Sequence, residues 1–122
     1  MFKGVKIYNR RFKPTITTRH TTERQERINT AIRLIRAEKA TVYMMFDVDN
    51  GHKNGNEIHI LYTNGVVFIC NKDTGRFITV LIARCGQIKN YFTLARVQRN
   101  STIKNMLDMA ENHRQNNFNN LY

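Results

Sequence analysis

His20, Arg24 and Arg27 stand at His-x-x-x-Arg-x-x-Arg spacing, just before and inside an amphipathic run. His20 and Arg24 are four apart, and Arg24 is four before Ile28. On one helical turn and its lead-in they extend the apolar stripe of Ile28, Ala31, Ile32 and Ile35 at its N-terminal end. An imidazole beside two guanidinium groups, with Arg19 next to it, suits phosphate chemistry without a metal. The imidazole moves a proton, and the guanidiniums stabilise the charge that develops on phosphorus. The same residues also fit a solvated basic helix start whose Arg stems cover the core. Spacing leaves both readings open.

The helix that carries Arg24 and Arg27 starts near Thr22. Thr22 and Gln25 have capping-box spacing, and Glu23 and Glu26 lie where the helix dipole favours anions. The periodicity ends between Arg36 and Ala40, and Arg33 and Arg36 lie off the stripe, facing water or a ligand. Residues 41–48 read as a strand, residues 49–56 as a loop and residues 57–63 as the next strand. Asn64-Gly65 is a two-residue hairpin signal. It sets Tyr62 against Val67, Leu61 against Phe68, Ile60 against Ile69 and His59 against Cys70. After residues 66–71, Lys72-Asp73-Thr74-Gly75 makes a second turn into a strand over 76–84. That strand is apolar on both faces and is expected at the centre of the sheet. Residues 87–92 suggest another short strand. Ser101 is expected to cap a helix bearing Ile103, Met106, Leu107 and Ala110.

The expected architecture is therefore α+β: an N-terminal helix, an antiparallel β-meander of about four strands and a C-terminal helix. Residues 1–122 are expected to form a single domain. Residues 1–18 read as a basic arm or short strand, 19–114 as the core and 115–122 as a frayed polar tail.

Lys and Arg total 20 against 9 Asp and Glu, a net charge of +11. The surplus is uneven. Residues 1–39 carry 11 basic and 3 acidic groups, residues 40–75 carry 2 and 4, and residues 76–122 carry 7 and 2. Two basic ends around a neutral middle suggest a positive face, which attracts phosphate backbones and releases their counterions. An acidic protein or an anionic membrane surface would be drawn to the same face. The expected partner is RNA or another nucleic acid, or a nucleoprotein machine. Two cysteines give no disulfide framework. The first residues have no apolar signal-peptide core, and no apolar run reaches the 18 or so residues of a membrane span. The expected location is the cytoplasm, with no membrane partner. Abundant Asn, Ile, Lys and Thr without Trp fit an AT-rich genome such as that of a phage or mobile element.

Other candidate motifs fail on spacing. Asp47-Val48-Asp49-Asn50-Gly51 resembles a calcium loop, but its glycine comes one position early and the twelfth position is Ile58. His59 opposite Cys70 is half of a zinc site without a second half. His52 and His113 sit in polar contexts and are expected to be solvated. No Ser/His/Asp order, P-loop or Rossmann glycine pattern occurs. No metal or cofactor is expected.

The chain resembles the small metal-independent ribonuclease superfamily that groups barnase, EndoU, colicin ribonucleases and RelE toxins, in its phage- or toxin-associated branch. The resemblance rests on two short motifs. One is the His20-x-x-x-Arg24-x-x-Arg27 helix start. The other is Thr74-Gly75-Arg76-Phe77-Ile78-Thr79-Val80 after the hairpin, and the resemblance spans roughly residues 19–84. The strand continues past Val80, and the second helix lies outside the pattern. The resemblance implies RNA scission by attack of a 2′-hydroxyl on its own phosphate. His20 would be the acid or base, Arg24 and Arg27 would hold the phosphate, and Thr79 would add a hydroxyl. Arg84, Lys89 and Arg96 would steer the strand, and Tyr62, Tyr91 and Phe92 would offer stacking faces. A toxin of this type implies an antitoxin as a further partner. The competing expectation is a non-catalytic phage inhibitor of a host nucleic-acid machine, an anti-CRISPR or similar protein, that uses the same basic face.

Overall fold

The computed structural model describes residues 2–15, 22–49, 51 and 57–115. Five strands and three helices run in the order β1 (Gly4–Ile7), α1 (Thr22–Ala37), β2 (Val42–Asp49), β3 (Glu57–Tyr62), β4 (Val66–Asn71), β5 (Phe77–Ile82), α2 (Cys85–Leu94) and α3 (Ser101–Gln115). The strands form one antiparallel sheet in sequence order. The α+β class holds, but the first element is a strand and the sheet has a fifth member.

That extra strand is β1, in the region expected as a basic arm or short strand. Val5 is buried opposite Val48, and the Lys3 and Tyr8 amides donate to the Asp49 and Met45 carbonyls. β2 would otherwise present an unpaired edge, so even four residues with one buried apolar side chain dock there. The chain then crosses to the far side of the sheet. The Thr15 amide donates to the Gly75 carbonyl, and the Phe77 amide donates to the Thr15 carbonyl. This short parallel contact covers the start of β5. β5 is therefore the last strand of the sheet, not a central one. Both α1 and α3 pack against it.

The β3–β4 hairpin differs from expectation by one residue. Its pairs are Leu61–Val67, Ile60–Phe68, His59–Ile69 and Ile58–Cys70. The Gly65 amide donates to the Tyr62 carbonyl, and Gly65 has φ +90°. The loop thus has three residues, with glycine in the left-handed position that closes such a turn. The slip places Cys70 opposite Ile58, on the sheet face away from His59. The half zinc site is removed with it.

α2 replaces the strand expected at 87–92. Ile88, Tyr91 and Phe92 are buried together at i, i+3 and i+4, a helical stripe that the short window hid. At α3 the cap is Asn100, not Ser101: its Oδ1 accepts from the Ile103 amide at 3.0 Å. α1 ends with a residue in the left-handed region, Lys39 at φ 53°. The Ala40 and Lys39 amides close back on the Ile35 and Arg36 carbonyls. The core includes Phe46, Ile58, Leu61, Val67, Ile88 and Met106, each almost fully buried. Among the described residues, no helix is long and apolar enough to cross a membrane.

Candidate functional site

Strand alternation sets one row of side chains across a single face of the sheet: Ile7, Phe46, His59, Ile69 and Thr79. α2 lies on this face. Tyr91 stacks on Phe46 with centroids 4.8 Å apart, and on Phe2 at 5.0 Å. His59, 1% exposed, sits edge-on to both Phe2 and Tyr91.

A buried histidine must satisfy both ring nitrogens, and here both are engaged. Nδ1 lies 2.6 Å from the Tyr91 hydroxyl, and Nε2 lies 3.1 Å from Glu57 Oε1. The Gln87 amide donates to the same hydroxyl at 2.8 Å. Tyr91 therefore accepts from Gln87 and donates to His59 Nδ1, which leaves the Nε2 proton for the Glu57 carboxylate. Burial pushes the Tyr91 phenol well above its usual value, so the hydroxyl keeps its proton. The result is one directed chain, Gln87 to Tyr91 to His59 to Glu57.

This chain ends in an open pocket of about 490 Å³. Phe2, His59 and Ile69 supply its apolar and aromatic lining, and Glu57, Arg84 and Gln87 its polar groups, with Gly86 beside them. Arg84 precedes α2 in extended conformation and is exposed. The pocket falls within the size range of roughly 300–1,000 Å³ typical of small-ligand sites. A second, smaller cleft of about 230 Å³ lies between α2 and α3, with Lys89 and Arg99 above Phe92, Val97 and Ile103.

The residues expected to act are distributed as follows. Arg19 and His20 lie outside the described residues. Arg24 is exposed and Arg27 half-buried in the first turns of α1, and Arg33 and Arg36 are exposed further along it. Thr79 is half-buried, two strands from His59 in the same row, roughly 10 Å away at the usual strand spacing. Arg84, Lys89 and Arg96 are exposed at the start, on the side and at the end of α2. The fold thus brings Arg84 to the pocket and Lys89 to the second cleft.

Several expected roles change. Tyr91 and Phe92 are buried in the core and offer no stacking face. His113 is not solvated: Glu38 Oε1 accepts from its Nε2 at 2.7 Å, and its side chain is 12% exposed. His52 lies outside the described residues. Asp47 pairs with Lys72, and Asp49 Oδ1 accepts from the Gly51 amide at 2.8 Å, in the segment whose spacing already failed as a calcium loop. Among the described residues, no cluster of three or more His, Cys, Asp or Glu could hold a metal ion. Glu57 and Gln87 carried no functional signal in the sequence, and His59 only that of half a zinc site. A polar His between apolar neighbours on a strand was the one available hint, since a buried His requires partners.

No family model, curated protein or solved structure matches the chain.

Proposed function

We propose that the protein binds RNA through an exposed basic surface. One observation carries this reading: among the described residues, exposed Lys and Arg side chains outnumber exposed Asp and Glu. Ion pairs join Lys72 to Asp47 and Arg114 to Glu111, while Glu57 and Glu38 are engaged by histidines. Arg33, Arg36, Arg84, Lys89, Arg96, Arg99 and Lys104 are all exposed. Such a surface gains free energy by releasing counterions from a phosphate backbone. The finer reading is metal-independent cleavage of that RNA. In it His20 moves the proton of the 2′-hydroxyl, Arg24 and Arg27 hold the phosphate, and Thr79 adds a hydroxyl. The two short motifs support it. Phage or mobile-element origin and a cytoplasmic site of action belong to the same proposal, as does an antitoxin partner.

The test is a titration of labelled single-stranded RNA between 50 and 200 mM salt. The logarithm of the affinity should fall linearly with the logarithm of salt, with a slope near −0.7 for each phosphate contacted. Binding that ignores salt, or no binding at the low end, overturns the reading. Cleavage is scored in the same tubes with chelator present. His20→Ala should abolish it while affinity stays within severalfold. Intact RNA under the wild-type protein removes the nuclease and leaves a non-catalytic inhibitor of a nucleic-acid machine.

A further inference from the structure

We infer that the cleft between α2 and α3 seats the phosphate backbone of single-stranded RNA and does not read its bases. This contact rests on the RNA-binding reading above and gives it a place on the fold. Residues 74–107 contain no Asp or Glu, while Arg76, Arg84, Lys89, Arg96, Arg99 and Lys104 all fall in that stretch and all are exposed. α1 differs, because Glu23 and Glu26 stand among its arginines. The cleft itself is lined by Lys89, Arg99 and Thr93 without a carboxylate. Among the described residues, none of Lys89, Arg96, Arg99 and Lys104 forms an ion pair. Cations with no acid beside them keep their full attraction for an anion.

The frame that presents these cations is fixed by folding. Lys89 and Thr93 are four apart on α2, so they share one side of that helix. After it, the Val97 and Arg96 amides close on the Phe92 and Thr93 carbonyls. Asn100 Nδ2 donates to the Tyr43 hydroxyl at 3.1 Å while its Oδ1 caps α3. The backbone that carries Arg96 and Arg99 is therefore tied at both ends. Binding does not have to order it, which leaves more of the contact energy as affinity.

An acidic protein segment with a hydrophobic anchor would also be drawn to cations over an apolar floor. The floor argues against it. Phe92, Ile103 and Leu107 are 4%, 2% and 6% exposed, so an inserted side chain would find little apolar surface left to cover. Interfaces of that kind draw their energy from a well-filled central pocket. What this cleft offers is charge, and the charge continues beyond it. Arg84 and Arg96 flank the ten residues of α2, a span of roughly 15 Å, and Lys104 follows in the first turn of α3. A row of that length suits a chain of phosphates better than a single anion. Phosphate contacts position a strand and carry no sequence information.

The experiment uses the whole protein and a labelled uridine dodecamer between 50 and 200 mM salt. The double variant Lys89→Ala/Arg99→Ala should bind about tenfold more weakly, with a salt slope shallower by about 1.4, the share of two single-strand phosphates at about 0.7 each. Arg10→Ala/Arg11→Ala removes the same charge from exposed positions near the N-terminus and should weaken binding by less than about threefold. A cytidine dodecamer should match the uridine one within about threefold. Uridine monophosphate should bind at least about a hundredfold more weakly than the dodecamer, since it engages one contact at a time. In the wild-type protein the dodecamer should shift the backbone amide resonances of Lys89, Thr93, Arg99 and Ile103, which decides the matter should a variant fail to fold.

Salt-dependent RNA binding with equal losses from the two double variants, or with shifts confined to other surfaces, overturns this inference and leaves the broader reading standing. Mononucleotide binding as tight as that of the dodecamer makes the cleft a free-anion site and overturns the strand contact. No RNA binding overturns both readings. In that case, cleft shifts caused by an acidic peptide containing phenylalanine reassign the surface to a protein partner.

Discussion

His59 and Tyr91, 32 residues apart in sequence, share a 2.6 Å hydrogen bond inside the core. The Tyr91 hydroxyl is also the acceptor for Gln87. Tyr91→Phe keeps the ring stacked between Phe2 and Phe46 but leaves His59 Nδ1 buried without a donor. Leaving one buried polar group unpaired costs about 1–3 kcal/mol. Urea unfolding should show a lower midpoint with an unchanged slope. An unchanged midpoint means that the bond contributes nothing to stability.

The hairpin glycine makes the second prediction. Gly65 has φ +90°, and a Cβ placed there would stand 2.7 Å from the Ala110 Cβ of α3. Gly65→Ala therefore meets two penalties, a left-handed backbone worth roughly 1–2 kcal/mol and an overpacked contact worth about 1–3 kcal/mol. Ala110→Gly in the same chain relieves the second and not the first. A double-mutant cycle should show partial recovery. Full additivity would mean that α3 does not press on the hairpin.

These two sites show how much the sequence could reveal. Strand positions in the hairpin were legible from alternation, because each buried face demands a period of two. Register was not, because Asn64-Gly65 fits a two-residue and a three-residue loop equally, and the approach of Ala110 is a tertiary fact. α2 was misread because Ile88, Tyr91 and Phe92 form a stripe of barely two turns. The directed chain from Gln87 to Glu57 was illegible for a stronger reason. Its members come from β3 and α2, and nothing local in either segment records that they meet. Conversely, the exposure of Arg84 and Lys89 was legible, since exposure of a cation follows from charge alone.

Glu38 ties three elements together. Its Oε1 accepts from Asn64 Nδ2 at 2.9 Å and from His113 Nε2 at 2.7 Å. Asn64 is fully buried at the hairpin tip. Glu38→Ala strands that buried amide and should cost about 1–3 kcal/mol. Amide exchange should accelerate at Gly65 and Val66, where the tip loses its anchor, and stay unchanged at Lys6 on the opposite edge. Uniform acceleration would argue for global destabilisation instead.

The two cysteines should separate chemically. Burial pushes the Cys70 thiol up to about 12, while Cys85 is half-buried. A raised thiol pKa means that the folded chain holds its proton more tightly than the unfolded one. Its contribution to stability is complete below the ordinary thiol pKa and is lost as pH rises from about 9 toward 12. Thiol reagents at pH 8 should label Cys85 first and Cys70 at the rate of global unfolding. Cys70→Ala should flatten the decline of stability above pH 9. Equal labelling rates in the folded protein would contradict the burial argument.

Arg96 occupies a position where glycine is preferred. It ends α2 with φ 59°, and the Val97 and Arg96 amides close on the Phe92 and Thr93 carbonyls. An L-residue here bears backbone strain of roughly 1–2 kcal/mol, partly offset because glycine loses more entropy on folding. Arg96→Gly should therefore raise stability by about 0.5 kcal/mol, read by urea unfolding. Lys39→Gly at the end of α1 has the same geometry and should do the same. The two differ in function if Arg96 contacts RNA. Its loss should then weaken RNA binding severalfold and make the salt slope shallower by about one phosphate contact. A more stable Arg96→Gly protein with weakened binding means that the charge is retained at the expense of the backbone. A more stable protein with unchanged affinity and slope means that Arg96 is no contact, and the basic surface must then act through Arg84, Lys89 and the α1 arginines.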